Sequence, residues 1–250
     1  MQKFQSDGAE IAFSMEGCGD PILLIHGFAS NAMVNWMEPG WGRALAGAGF
    51  AAIALDNRGH GRSEKLHDPQ AYRLSLMAGD ALALLDHLGV GRADIFGYSM
   101  GAWIAARLAV DHPQRVRSLV LGGVGTNLLS GFRQREAIAA SLLAPDPDAV
   151  GEERDRAYRR FAKRTGSDLE ALAACVMAPS EGISAKELNS IVAPVLIACG
   201  ANDPQAATAA ELSGLFGRAE LLLLPGRDHM NVVGDSRLRQ AVIDFLARRP

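Results

Sequence analysis

Cysteine is scarce in this chain of 250 residues: Cys18, Cys175 and Cys199 stand far apart, odd in number and without a C-x-x-C spacing. That argues against a disulfide framework and against a thiolate zinc site, and leaves the three as small apolar fillers. Charge of one sign is lacking too. Lys and Arg number 25 and Asp and Glu 28, interspersed along the chain for a net charge of −3, so no basic footprint for nucleic acid or an anionic membrane is present. No apolar run approaches the ~18 residues of a membrane helix, and Met1 to Gly8 has no apolar core of signal-peptide type. A cytoplasmic location is expected. Metal-ligand clusters, phosphate loops, internal repeats and low-complexity linkers are all missing from the pattern. The expectation is therefore a chain without metal or cofactor, whose partner is a small molecule.

What the chain has is apolar content: 48% of its residues are hydrophobic, enough for one large core with an insertion. Short apolar runs recur at Pro21–Ile25, Phe50–Leu55, Ala93–Phe96, Val116–Leu121, Pro194–Cys199 and Leu221–Leu224, with helical segments between them. Near-continuous hydrophobicity implies strands covered on both faces, so the fold class is α/β, a mostly parallel sheet flanked by helices. Lys3-Phe4 and Ile11 to Phe13 read as an antiparallel pair turned at Asp7-Gly8 along one edge. A helix over 72–88 places Leu76, Ala83 and Leu84 on one face, and a last helix over 236–248 buries Leu238, Val242, Phe245 and Leu246.

Between Gly125 and Ala193 the alternation stops, and Arg, Glu and Ala dominate segments with helical spacing. The spacing predicts a charged helix over 148–164 with Tyr158 and Phe161 on one face, then a second presenting Leu169, Leu172, Ala173 and Val176. The division is a core of residues 1–124 and 194–250 with a helical insertion at 125–193. Its arginines, Arg154, Arg156, Arg159 and Arg160, read as a solvated face because acidic residues are interleaved.

The chemistry concentrates at Gly97-Tyr98-Ser99-Met100-Gly101, where a strand hands over to a helix. A turn that sharp crowds the positions two before and two after its apex, which is why glycine stands at both, and it lifts the serine hydroxyl above the sheet. A serine hydroxyl needs a base to become a nucleophile near neutral pH, and histidine suits that task. His87 and His112 belong to helix ends, His67 to a polar loop and His60 to a glycine-rich turn. His229 follows the final strand and so emerges on the same rim as Ser99. The loop after the preceding strand supplies Asp203 to fix the tautomer of that histidine. Asp228 reads as a loop carboxylate, its side chain diverging from that of its neighbour, and the loop at 122–127 holds no acid.

The order Ser99, Asp203, His229 on successive strand ends resembles the α/β-hydrolase family over nearly the whole chain. His26-Gly27-Phe28-Ala29 is similar to the family's oxyanion turn, which implies that the backbone N–H groups of Phe28 and Met100 hold a developing oxyanion. Asp56 to Ser63 resembles the structural turn after the next strand, and the insertion resembles the family's cap, expected to set substrate choice and add little to the chemical step. Phe28, Met100, Trp103, Met177 and Met230 are the candidates for an apolar pocket. Serine at 99 disfavours epoxide hydrolases and haloalkane dehalogenases, whose nucleophile is aspartate. The resemblance implies a serine esterase or lactonase working on a small ester or lactone with water. The alternatives are a carbon-carbon bond hydrolase or cofactor-free perhydrolase on the same triad, and a non-catalytic ligand receptor of the same fold.

Overall fold

The computed structural model describes residues 1–131, 134–146 and 152–249. The chain opens with an antiparallel hairpin, β1 (Gln2–Ser6) and β2 (Ala9–Glu16), paired from Ser6 against Ala9. Asp7 and Gly8 at its turn both have positive φ, the geometry that matches the twist of the flanking strands. The six apolar runs become β3 (Asp20–Ile25), β4 (Phe50–Leu55), β5 (Ala93–Tyr98), β6 (Val116–Gly122), β7 (Val195–Gly200) and β8 (Ala219–Leu224). They join the hairpin in one eight-stranded sheet of order β1-β2-β4-β3-β5-β6-β7-β8. Pairing is parallel from β4 to β8, and only β1 and β2 run against their neighbours.

Helices cover the two faces. In chain order they are α1 (Trp41–Gly47), α2 (Leu74–His87), α3 (Met100–Asp111), α4 (Arg135–Leu143), α5 (Glu153–Arg164), α6 (Leu169–Val176), α7 (Ala185–Asn189), α8 (Ala206–Ser213) and α9 (Ser236–Ala247). Apolar residues of α2, α3 and α8 pack on one face with Leu23, Ile25, Ile95 and Leu119. On the other, Trp41 and Leu45 of α1 and Leu238, Val242, Phe245 and Leu246 of α9 pack on Leu24, Phe96 and Val120. The helices α4 to α7 lie between β6 and β7, the stretch where the sequence loses its strand pattern.

Four expectations shift. On α2 the buried stripe is Met77, Ala78, Asp80, Ala81, Leu84 and Leu85, while Leu76 and Ala83 are only half-buried. The stripe turns because Asp80 lies inside it, bonded to the buried Arg58 guanidinium at 2.6 and 2.7 Å; a hydrophobic pattern assigns such a carboxylate to solvent. The run at 221–224 is not covered on both faces, since Leu221 and Leu223 are 37% and 40% exposed on the edge strand β8. The charged helix begins at Glu153, and residues 148–151 of the expected helix lie outside the described residues. Arg159 is not on a solvated face: it is buried and donates to the Ser141 and Ala144 carbonyls at the end of α4, at 2.7 and 2.5 Å. Among the described residues, no helix is long and apolar enough to cross a membrane.

Candidate active site

Strands β5, β7 and β8 run in parallel, so the loops at their carboxyl ends share one rim of the sheet, and there the candidate groups meet. Ser99 sits between β5 and α3 with φ 54° and ψ −116°, a conformation that L-residues avoid. The flanking glycines permit it. A Cβ on Gly97 would stand 2.1 Å from the Gly101 carbonyl oxygen, and one on Gly101 would stand 2.0 Å from that of Ile25.

Ser99 Oγ lies 3.1 Å from His229 Nε2, and His229 Nδ1 lies 2.7 Å from Asp203 Oδ2. The Asp203 side chain is 1% exposed and the imidazole 29%, so one end of the relay is dry and the other reachable. Asp203 also accepts from the Gln205 N–H at 2.9 Å, which fixes the carboxylate. Asp228 turns elsewhere: its Oδ1 accepts from the N–H groups of Met230 and Asn231 at 2.8 and 3.0 Å. In this arrangement Nδ1 carries a proton toward Asp203 and Nε2 is free to accept one from Ser99.

The Asp203 charge bears on its neighbours. Burial, with that carboxylate second, holds the Tyr98 hydroxyl well above its ordinary range, and the same two causes push the Cys199 thiol up to about 12. Tyr98 therefore remains a donor, and its hydroxyl donates to the His229 carbonyl.

The oxyanion-type turn lies directly over the serine, with the position of a Cβ on Gly27 only 3.2 Å from Ser99 Cβ. The Gly27 carbonyl accepts from His26 Nδ1–H at 2.8 Å and from the Ser30 N–H at 3.2 Å. His26 Nε2 accepts from the Asn57 N–H at 3.0 Å, which requires the neutral ring; burial lowers its pKa to about 4. Ala29, at the third position of the turn, has φ 59°, the left-handed conformation usually given to glycine in a type II turn. Met100 is the first residue of α3, where a helix has no acceptor of its own for the N–H.

The insertion packs onto this rim. Cys175 Sγ lies 3.9 Å from Met100 Sδ, and the Tyr158 ring meets the Phe28 ring edge-on at 5.8 Å. Of the pocket candidates, Trp103 is 8% exposed and lines a small cavity with Leu74, Leu128, Arg135 and Cys175 that does not include Ser99. Met177 is half-buried against the core, and Met230, 56% exposed, faces solvent. Tyr158, which was not among them, packs against the turn that carries Phe28. Its signal was an aromatic pair, Tyr158 and Phe161, on an otherwise charged helix. Among the described residues, no group of three His, Cys, Asp or Glu side chains could hold a metal ion.

A family model described as the alpha/beta hydrolase fold matches residues 20–137. The dihydrolipoyllysine-residue acetyltransferase component of the acetoin cleaving system of Pseudomonas putida is 31% identical over 92% of this chain, which spans 64% of that relative's length. Epoxide hydrolase B of Mycobacterium tuberculosis is 38% identical over 41% of this chain and 28% of its own. Among solved structures, the enol-lactonase of Burkholderia xenovorans LB400 superposes with a TM-score of 0.83 at 23% identity, covering 99% of this chain and 100% of that one, a likeness of fold.

Proposed function

Because the chain belongs to the α/β-hydrolase fold family, we propose that it is a serine hydrolase of small carboxylic esters or lactones, with Ser99, His229 and Asp203 as its triad. The observation that carries the reading is the relay of 3.1 and 2.7 Å from a strained serine to a dry carboxylate. Ser99 Oγ attacks the carbonyl carbon while His229 Nε2 takes the hydroxyl proton, and Asp203 stabilises the resulting imidazolium. The N–H groups of Phe28 and Met100 hold the tetrahedral oxyanion. The C–O bond to the leaving alkoxide then breaks as His229 returns the proton to it. For a lactone the freed alcohol stays tethered to the acyl group. Water, deprotonated by the same histidine, cleaves the acyl-enzyme and restores Ser99.

Serine at position 99 separates this chain from aspartate-nucleophile chemistry, so the partial match to an epoxide hydrolase is read as shared scaffold rather than shared reaction. The helices of the insertion stand over the rim with Tyr158 and Cys175, and on this reading they form a cap that selects the acyl or alcohol group. The test is labelling and turnover together. A fluorophosphonate should add to Ser99 alone, and Ser99→Ala should lower kcat on an activated ester by about 10⁴ or more. Wild-type turnover by that variant would end the proposal, and loss of all turnover from correctly folded wild type would favour the receptor alternative.

A further inference from the structure

The turn over Ser99 is tied to the insertion by a hydrogen bond that chemistry confined to the sheet does not require. Thr165, at the end of α5, places Oγ1 2.9 Å from the Ala29 carbonyl oxygen and 2.8 Å from Ser167 Oγ. Ser167 Oγ itself is 3.5 Å from the same carbonyl. Each hydroxyl has one hydrogen. The Thr165 proton also has the Ala162 carbonyl within 3.0 Å, but that oxygen already accepts from the Ser167 N–H at 2.9 Å, so the Thr165 proton is assigned to Ala29. Ser167 then donates to Thr165, and Thr165 donates to Ala29.

That carbonyl belongs to the peptide whose N–H is Ser30, and the Ser30 N–H donates to the Gly27 carbonyl. The Gly27 carbonyl in turn belongs to the peptide whose N–H is Phe28, the donor proposed above for the oxyanion. The run from Thr165 to the Phe28 N–H is therefore continuous: a hydroxyl, a peptide, a hydrogen bond and a second peptide. Every link constrains the next, and hydrogen bonds in series polarise one another. Ala29 supplies the reason for a clamp. Its φ of 59° is disfavoured for a residue with a Cβ, so the turn tends to relax. A change of φ at Ala29 rotates the Ala29–Ser30 peptide, breaks the Ser30 bond and frees the Gly27–Phe28 peptide to turn away. The Tyr158 ring against Phe28 is a second contact from the same helix onto the same turn.

From this we infer that Thr165, backed by Ser167, is a positioning residue that holds the strained turn so that the Phe28 N–H faces the oxyanion, making the insertion part of the catalytic apparatus. The inference rests on the serine-hydrolase reading for its consequence in rate, though not for its geometry. It departs from the sequence-based expectation that the insertion adds little to the chemical step.

Two arms test it. On p-nitrophenyl acetate, which is too small to need a shaped pocket, Thr165→Val should lower kcat about tenfold, with KM and melting temperature within about twofold and 2 °C of wild type. Thr165→Ser, which keeps the hydroxyl, should restore kcat, and Ser167→Ala should give a smaller loss. Unchanged kcat in folded Thr165→Val would overturn the inference, as would a loss that appears only in KM. The second arm is a crystal structure of Thr165→Val, which does not depend on turnover. Ala29 should leave positive φ or the Ser30 bond to Gly27 should lengthen, and an unaltered turn overturns the inference. Should wild type fail to hydrolyse any ester while the variant's turn still relaxes, the clamp stands and the proposed activity falls.

Discussion

The Tyr98 hydroxyl donates to the main-chain carbonyl of His229, and the two rings lie 5.4 Å apart. The residue immediately before Ser99 thus holds the loop that carries His229, on a donor 4% exposed that stays protonated because burial raises its pKa. Tyr98→Phe keeps the ring and removes that bond. The expected result is a loss of about 0.5 to 1.5 kcal/mol in stability, the usual net worth of a hydrogen bond to a carbonyl that water can partly reach. A fall in kcat of about tenfold should accompany it as His229 loosens. Urea unfolding and ester turnover measure the two, and a variant unchanged in both would show that the loop is held by other contacts.

The two acids beside His229 separate cleanly. Asp203→Asn keeps the size of the side chain but can offer an N–H to Nδ1, favouring the tautomer whose Nε2 carries the proton and cannot take one from Ser99. A loss of about 10³ to 10⁴ in kcat follows. Asp228→Asn keeps the Oδ1 that accepts from Met230 and Asn231, so its kcat should remain within about threefold of wild type. Steady-state kinetics on one ester with both variants settles the ranking; the reverse order would transfer the orienting role to Asp228.

The side chains that meet on the rim were legible in the sequence by their type and position, and the contacts made through the backbone were not. Ser99, Asp203 and His229 each follow a recognisable strand, and the parallel order alone puts them on one rim. Gly97 and Gly101 gave away the turn because only glycine fits there. By contrast, the role of Tyr98 depends on a carbonyl 131 positions away in the chain, and that of Thr165 on one 136 positions away, and neither leaves a local pattern. Arg159 misled in the opposite sense, and Asp80 left no signal: charged side chains inside the core look like surface until their partners are known. The exposure of Leu221 and Leu223 is a property of strand order, since an apolar run does not reveal which strand ends the sheet.

The last prediction concerns acid. His26 and His60 lie fully buried with ring centroids 5.3 Å apart, and a second proton on His26 would cost it the bond that its Nε2 accepts from the Asn57 N–H. Burial lowers the His26 pKa to about 4, against the opposing pull of the Gly27 carbonyl, and lowers that of His60 to about 3, helped by His26. In the unfolded chain both titrate near 6.5. As pH falls below that value the unfolded state takes up two protons that the folded state refuses, so stability is full above pH 6.5 and declines toward pH 4. The slope approaches about 1.4 kcal/mol per pH unit for each histidine. Asp56 and Asp94, whose carboxyls burial raises above the ordinary value, work in the opposite sense and offset part of that slope toward the acid end of a window of pH 7.5 to 5.0. Urea unfolding across that window should therefore show a folded state that weakens with acid, and His60→Asn should remove about half of the slope. A stability that stays level from pH 7.5 to 5.0 would mean that the buried pair already carries protons, and that the neutral His26 required by the Asn57 bond is wrong.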